Sequence, residues 1–157
     1  MKNFESFFYE KLVLGLIEDI QIDGIGTISS KLDSGNGAHN VLHGEDIKID
    51  SGNKIVRFTT VHAISLEKEL IDLITINVGA NKTEHRPVVQ FDLKMGDKVY
   101  KNIPFSIGNR SSNSNKVLIG KPFIENDLNA LIDVSINNVV DKNLEVDIWK
   151  NTHKKNY

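Results

Sequence analysis

The chain has no cysteine among its 157 residues, which excludes disulfides, thiolate chemistry and cysteine-ligated zinc and leaves any metal site to histidines and carboxylates. The redox compartment stays open. A surplus of one charge is also missing. Its 19 Lys and Arg against 21 Asp and Glu give a formal net charge of -2, so there is no electrostatic footprint for nucleic acid and no polybasic segment for a membrane surface. Long apolar runs are absent as well: Glu5, Glu10 and Glu18 interrupt Phe7-Phe8 and Leu12-Val13-Leu14. No stretch is long enough for a transmembrane helix and no signal-peptide pattern is present, so cytoplasmic residence without nucleic acid or membrane partners is the expectation. Neither Gly24-Ile25-Gly26 nor Gly35-Asn36-Gly37 leads into the Lys-Ser/Thr of a phosphate-binding loop, which leaves ATP binding without support. His39 and His43 are four apart, but Asn40 stands where a zinc-peptidase helix needs glutamate, and the pair follows a strand and loop. Neither a metal nor any other cofactor is expected.

What the chain does have is alternation. Val89 to Met95 alternates apolar with polar, turns at Gly96-Asp97 and resumes through Val99, Ile103, Phe105 and Ile107, a half-buried β-hairpin. Ile47 and Ile49, the turn Asp50-Ser51-Gly52-Asn53, and Ile55 to Val61 predict a second hairpin. Ile20 to Ile22, Asp23-Gly24 and Ile25 to Ile28 predict a third, which delivers the chain to Asp33. Helical signals are few. Leu66, Leu70 and Leu73 predict a helix over Ser65 to Ile74, and Pro122 to Leu128 opens as a short helix. Leu144, Val146 and Ile148 alternate once more. With 39% hydrophobic residues, the expectation is one all-β domain over residues 1–150, a sandwich or barrel, with a polar tail at 151–157.

Asp33-Ser34-Gly35 closes the apolar strand that runs through Ile28 and Leu32. An aspartic peptidase presents its carboxylate this way, although Asp-Ser-Gly is also a common turn. The chemistry needs two carboxylates sharing one proton: the ionised one draws a proton from water while the protonated one hydrogen-bonds the scissile carbonyl. Gly35 lets the backbone approach the pair, and the Ser34 hydroxyl is able to bond across it. One such triplet per chain means half a site per chain. Val117-Leu118-Ile119-Gly120 supplies the glycine-ended apolar strand that must pack beneath the loop. Asp133 is followed by Val134 rather than glycine and reads as structural; His43 reads as packed or hydrogen-bonded, and His62 and His85 as surface or hairpin-base residues. Arg86 is divided evenly between substrate contact and a structural pair.

Val13-Leu14-Gly15-Leu16-Ile17-Glu18, Ser30 to Gly35 with Leu42-His43, Val56-Arg57-Phe58, His85 to Val89, Asn109-Arg110-Ser111 through Leu118-Ile119-Gly120-Lys121, and Leu131 to Ser135 follow one another along the chain. In that order they resemble the retropepsin-like aspartic peptidases, in particular a bacterial and phage group that carries the label "ATP-dependent zinc protease". The resemblance covers about residues 14–135. It implies a closed retropepsin-like β-barrel with one short helix near the C-terminal part, assembled as a C2 homodimer in which Asp33, Ser34 and Gly35 of each subunit form the catalytic loops. It also implies a flap covering the cleft, for which Ile74 to Thr83 is the candidate, with its tip at Gly79-Ala80-Asn81. Peptide substrate would then meet Asn36, Gly37, Val78, Gly79, Ala80, Arg86 and Ile119. The chain departs from the group's pattern at Asn36, where the group has alanine, at Asn109 for aspartate and at Lys121 for arginine. These departures motivate an alternative: an inactive binding or regulatory module on the same fold, partnering an ATP-grasp peptide ligase.

Overall fold

The computed structural model describes residues 10–142 and 144–147. The chain is mostly β. Among the described residues twelve strands follow one another: β1 (Glu10–Ile22), β2 (Gly26–Asp33), β3 (Asn40–His43), β4 (Glu45–Asp50), β5 (Ile55–Thr60), β6 (Ile64–Glu69), β7 (Asp72–Gly79), β8 (Lys82–Met95), β9 (Lys98–Gly108), β10 (Val117–Gly120), β11 (Ala130–Asn137) and β12 (Glu145–Asp147). Short helical turns stand at Val61–Ala63, Phe123–Leu128 and Val140–Lys142. Among the described residues no helix is long and apolar enough to cross a membrane. The polar tail at 151–157 and Ile148 lie outside the described residues.

The three expected hairpins form. β1 pairs β2 with Ile20 opposite Ile28, around a turn in which Gly24 takes a φ of 83°. β8 pairs β9 around Gly96, at a φ of 62°, and β4 pairs β5 with Ile49 opposite Val56. The Phe123–Leu128 helix also forms as expected, with π-type hydrogen bonding; Phe123, Ile124 and Leu128 are buried, and Asn129 ends it in the left-handed region. The helix expected over Ser65–Ile74 does not form. That stretch splits into β6 and β7, because β5 offers a free edge and Phe58 lies opposite Leu66 in the resulting pair. Side chains along β6 alternate between half-buried and exposed, a period of two that the leucine spacing conceals. Leu70 falls in the connection, where its N–H donates to the Lys54 carbonyl at 2.8 Å.

The main sheet runs β11-β1-β2-β10-β3-β9-β8-β7, with β12 also on β1, and β4-β5-β6 form a separate sheet. β1 pairs β8 as well, Gln21 with Lys94 and Ile22 with Leu93, so the pairings run from β1 through β2, β10, β3, β9 and β8 back to β1. Inside that circuit lie Leu14, Ile22, Leu32, Leu42, Val89, Phe105, Ile107, Val117 and Ile119, all within one buried cluster. Phe91 and Phe105 meet edge to face at 5.8 Å. The smaller sheet joins the same core through Val56 and Phe58, and Lys68 Nζ stands 4.4 Å above the Phe91 ring.

β1 carries a bulge between Gly15 and Ile17 where it pairs with β11. A Cβ on Gly15 would lie 2.3 Å from the Ile136 carbonyl oxygen, so only glycine fits. Glu18 is fully buried beside this bulge. Its carboxylate accepts the N–H groups of Gly15 at 2.7 Å, Val139 at 3.2 Å and Val140 at 3.0 Å, fastening the segment after β11 to β1.

Candidate active site

β2 buries Ile28, Ser30 and Leu32 and turns Lys31 and Asp33, both half-buried, to its other face. β10 lies parallel beside it, with Ile119 opposite Leu32 and Gly120 opposite Asp33. The chain then folds back on itself. Asp33 Oδ1 accepts the Gly35 N–H at 3.1 Å, and the Asp33 carbonyl accepts the Asn36 N–H at 3.1 Å, the self-capping expected of Asp before Ser-Gly.

The returning loop presses onto the end of β10. A Cβ on Gly120 would lie 2.8 Å from the Ala38 carbonyl oxygen and 3.2 Å from that of Asn36. The Gly120 N–H donates to Oδ1 of buried Asn40 at 2.8 Å, and the Lys121 N–H donates to the Asn36 carbonyl at 2.8 Å. The Asn36 side chain is used inside the loop: Oδ1 accepts from Ala38 N–H at 3.0 Å and Nδ2 donates to the His39 carbonyl at 3.1 Å. It braces the loop rather than reaching outward to a substrate. Ser34, Gly35 and Gly37 are exposed.

Ile119 was expected at the substrate and is instead sealed in the core at 0% exposure. Strand alternation puts its half-buried neighbour Leu118 on the other face, opposite Lys31 and on the side of Asp33. Val78, Gly79 and Ala80 lie where the sequence suggested, at the end of a hairpin. β7 pairs β8 from Asp72 opposite Val88 out to Gly79 opposite Lys82, whereas β9 pairs β8 only from Val88 onward. The outer half of the hairpin therefore projects beyond β9. Its tip turns at Gly79, Ala80 and Asn81 with φ of 94°, 48° and 59°, and Val78 is exposed. His85 stands on this hairpin, its Nδ1 3.1 Å from Thr75 Oγ1.

Arg86 lies flat over Gly108, where a Cβ would meet its Nε at 2.7 Å. That Nε is buried without a hydrogen-bond partner, and Nη2 reaches Glu84 Oε2 at 3.4 Å. Arg110 joins it, a residue of the Asn109-Arg110-Ser111 segment to which the sequence alone assigns no role. Burial and the neighbouring Arg86 hold the Arg110 guanidinium below its ordinary proton affinity, while the charge of Asp33 works the other way. A single arginine in a polar loop carries no periodic signal, and only β3, β9 and β10 meeting side by side bring it toward Asp33. The Asn109–Lys116 loop is tightly held. Arg110 Nε donates to the Asn115 carbonyl at 2.8 Å, Lys116 Nζ donates to the carbonyls of Arg110, Ser111 and Asn113, and Asn109 Oδ1 accepts from the Ser111 N–H and hydroxyl.

Among the other polar residues, Asp133 Oδ1 accepts the Ser135 N–H at 2.9 Å and the Ser135 hydroxyl, which gives it a structural role. Buried His43 is hydrogen-bonded at both ring nitrogens, and His62 Nε2 contacts the Thr27 carbonyl at 3.2 Å. No group of three His, Cys, Asp or Glu among the described residues is placed to hold a metal ion. Two open grooves of about 510 and 610 Å³ lie at the β1–β2 turn and over the smaller sheet, and Asp33 lines neither.

Against known proteins, the model of one family, RimB-like, described as "Retropepsin-like aspartic endopeptidase RimB", matches residues 13–143. Among solved structures, protein Lpg0085 of unknown function (DUF785) from Legionella pneumophila subsp. pneumophila str. Philadelphia 1 is similar. It has 27% identity and a TM-score of 0.66, and the match covers 82% of this chain and 98% of that one. No curated protein matches the chain.

Proposed function

Because the chain belongs to the RimB-like family of retropepsin-like aspartic endopeptidases, we propose that it is a homodimeric aspartic endopeptidase whose dyad is Asp33 and the Asp33 of a second copy. The observation that carries this reading is the seat of Asp33: a strand-end carboxylate beside Gly120 of a parallel strand, with its loop hydrogen-bonded down onto β10. The circuit of pairings through β1 and β8 supports a closed barrel as the scaffold.

In the dimer the two carboxylates hold one proton between them, since like charges at contact distance do not both ionise. The ionised Asp33 takes a proton from water as the water attacks the peptide carbonyl. Its protonated counterpart hydrogen-bonds the carbonyl oxygen and then passes a proton to the leaving amine. Exposed Ser34 bonds across the axis. Lys31 and Leu118 line the cleft floor on the Asp33 face, taking the place first given to Ile119. The projecting β7–β8 hairpin closes over the peptide as the flap.

Two of the three departures from the group's pattern are absorbed locally. Asn36 braces its own loop, and Asn109 accepts the same two hydrogen bonds from Ser111 that an aspartate would. Both support catalysis over an inactive module. Purified protein should cleave members of a random peptide library, and Asp33→Asn should remove cleavage while leaving the thermal unfolding midpoint in place. A wild-type protein as inert as the mutant across acid to neutral pH would defeat the reading.

A further inference from the structure

His43 is buried on β3, yet its side chain and backbone hold the Asn109–Lys116 loop at three points. Its N–H donates to the Lys116 carbonyl at 2.8 Å, at the loop's far end. As a strand residue it pairs with Gly108, at the loop's start. Its ring meets the Arg110 backbone N–H at Nδ1, 2.8 Å away, and Glu45 Oε1 at Nε2, 3.1 Å away. The Thr60 hydroxyl donates to the His43 carbonyl at 2.6 Å and fixes the residue from the side of β5.

These contacts determine the tautomer. A backbone N–H only donates, so Nδ1 must be a bare acceptor and the ring proton must sit on Nε2, where it is donated to Glu45. An imidazolium has two donors and no acceptor, so a proton on Nδ1 would face the Arg110 N–H and break the bond.

We propose that His43 is a positioning residue for peptide cleavage: its unprotonated Nδ1 docks the Arg110 backbone, and with it the Asn109–Lys116 loop, at the edge of the Asp33 cleft, and acid undocks that loop. The charged side chain in contact with the ring is that of Glu45 from β4, at Nε2; the loop meets His43 through the backbones of Arg110 and Lys116, and Arg86 from β8 lies over Gly108, the strand partner of His43. The catalytic consequence rests on the peptidase reading, whereas the docking itself does not.

The test separates the two. In ¹⁵N-labelled wild-type protein at neutral pH, His43 Nδ1 should resonate as an unprotonated ring nitrogen, and the Arg110 amide should be protected from hydrogen exchange. As pH falls, loss of Arg110 protection should follow the His43 ring titration. His43→Ala should speed Arg110 exchange about three- to tenfold, as expected for one net hydrogen bond, and His43→Asn, whose Oδ1 replaces the acceptor, should restore protection. In a cleavage assay, His43→Ala should lower kcat/KM, His43→Asn should recover it, and the His43→Asn profile should lack the acid loss that follows the ring titration. A proton found on Nδ1 at neutral pH, or Arg110 exchange indifferent to ring protonation, would overturn the proposal, and both are read on wild-type protein. Inert wild-type enzyme would remove the peptidase reading while leaving the exchange result to judge the tether.

Discussion

Gly120 sits where two carbonyl oxygens of the Asp33 loop come down onto β10, and a methyl group there would lie 2.8 Å from one of them. Gly120→Ala should therefore lift the loop and cost about 1–3 kcal/mol, the usual penalty of overpacking, read from the urea midpoint. Cleavage should fall further than stability, because the displaced atoms adjoin Asp33. Three other carboxylates respond to acid. Asp92 is held below the ordinary carboxylate range chiefly by the Asn102 N–H, Asp50 by the Asn53 side chain and Asp133 by the Ser135 hydroxyl. A depressed carboxylate contributes stability that is complete above its unfolded value, about 4, and is lost as pH falls through the folded one. Urea midpoints should accordingly hold near neutrality and decline on acidification below that range. Asp92→Asn should make the decline shallower.

Elements are held to each other by contacts that the alternation pattern does not reveal. The Glu18 carboxylate satisfies three backbone N–H groups and so joins β1 to the segment after β11. Glu18→Ala leaves three buried donors without an acceptor and should cost about 3 kcal/mol or more by chemical denaturation, with Glu18→Gln losing less. The β7–β8 hairpin is the opposite case. Val78 is 49% exposed beyond the end of β9, where it adds little to the core. Val78→Asp should leave the thermal midpoint nearly unchanged and, with the hairpin acting as the proposed flap, lower kcat/KM for an apolar peptide. An unaltered kcat/KM would remove this hairpin from the cleft.

For the whole molecule, the proposed dyad takes one Asp33 from each chain and would make activity a property of pairs. When wild type is co-refolded with increasing Asp33→Asn, cleavage should fall as the square of the wild-type fraction; a linear fall would mean that each chain works alone. The Asp33 loop and all three hairpins were legible from the sequence, as was the short helix after Pro122, because turn chemistry and alternation act over a few residues. Ser65–Ile74 was misread because its leucines fit a helical period, while the choice of strand came from β5, a partner that local spacing does not show. Ile119 faces the core for a related reason: which face of a four-residue apolar strand points inward depends on what packs against it. Arg110 feels the charges of Asp33 and Arg86, and His43 holds its backbone, only because β3 and β9 pair in register and β10 lies between β2 and β3. The sequence by itself determined the self-capping turn at Asp33 and the β character of the chain, since both are written in adjacent residues. The tertiary structure alone decided which distant side chains surround that carboxylate, because those contacts depend on strand order and register, which no short segment encodes.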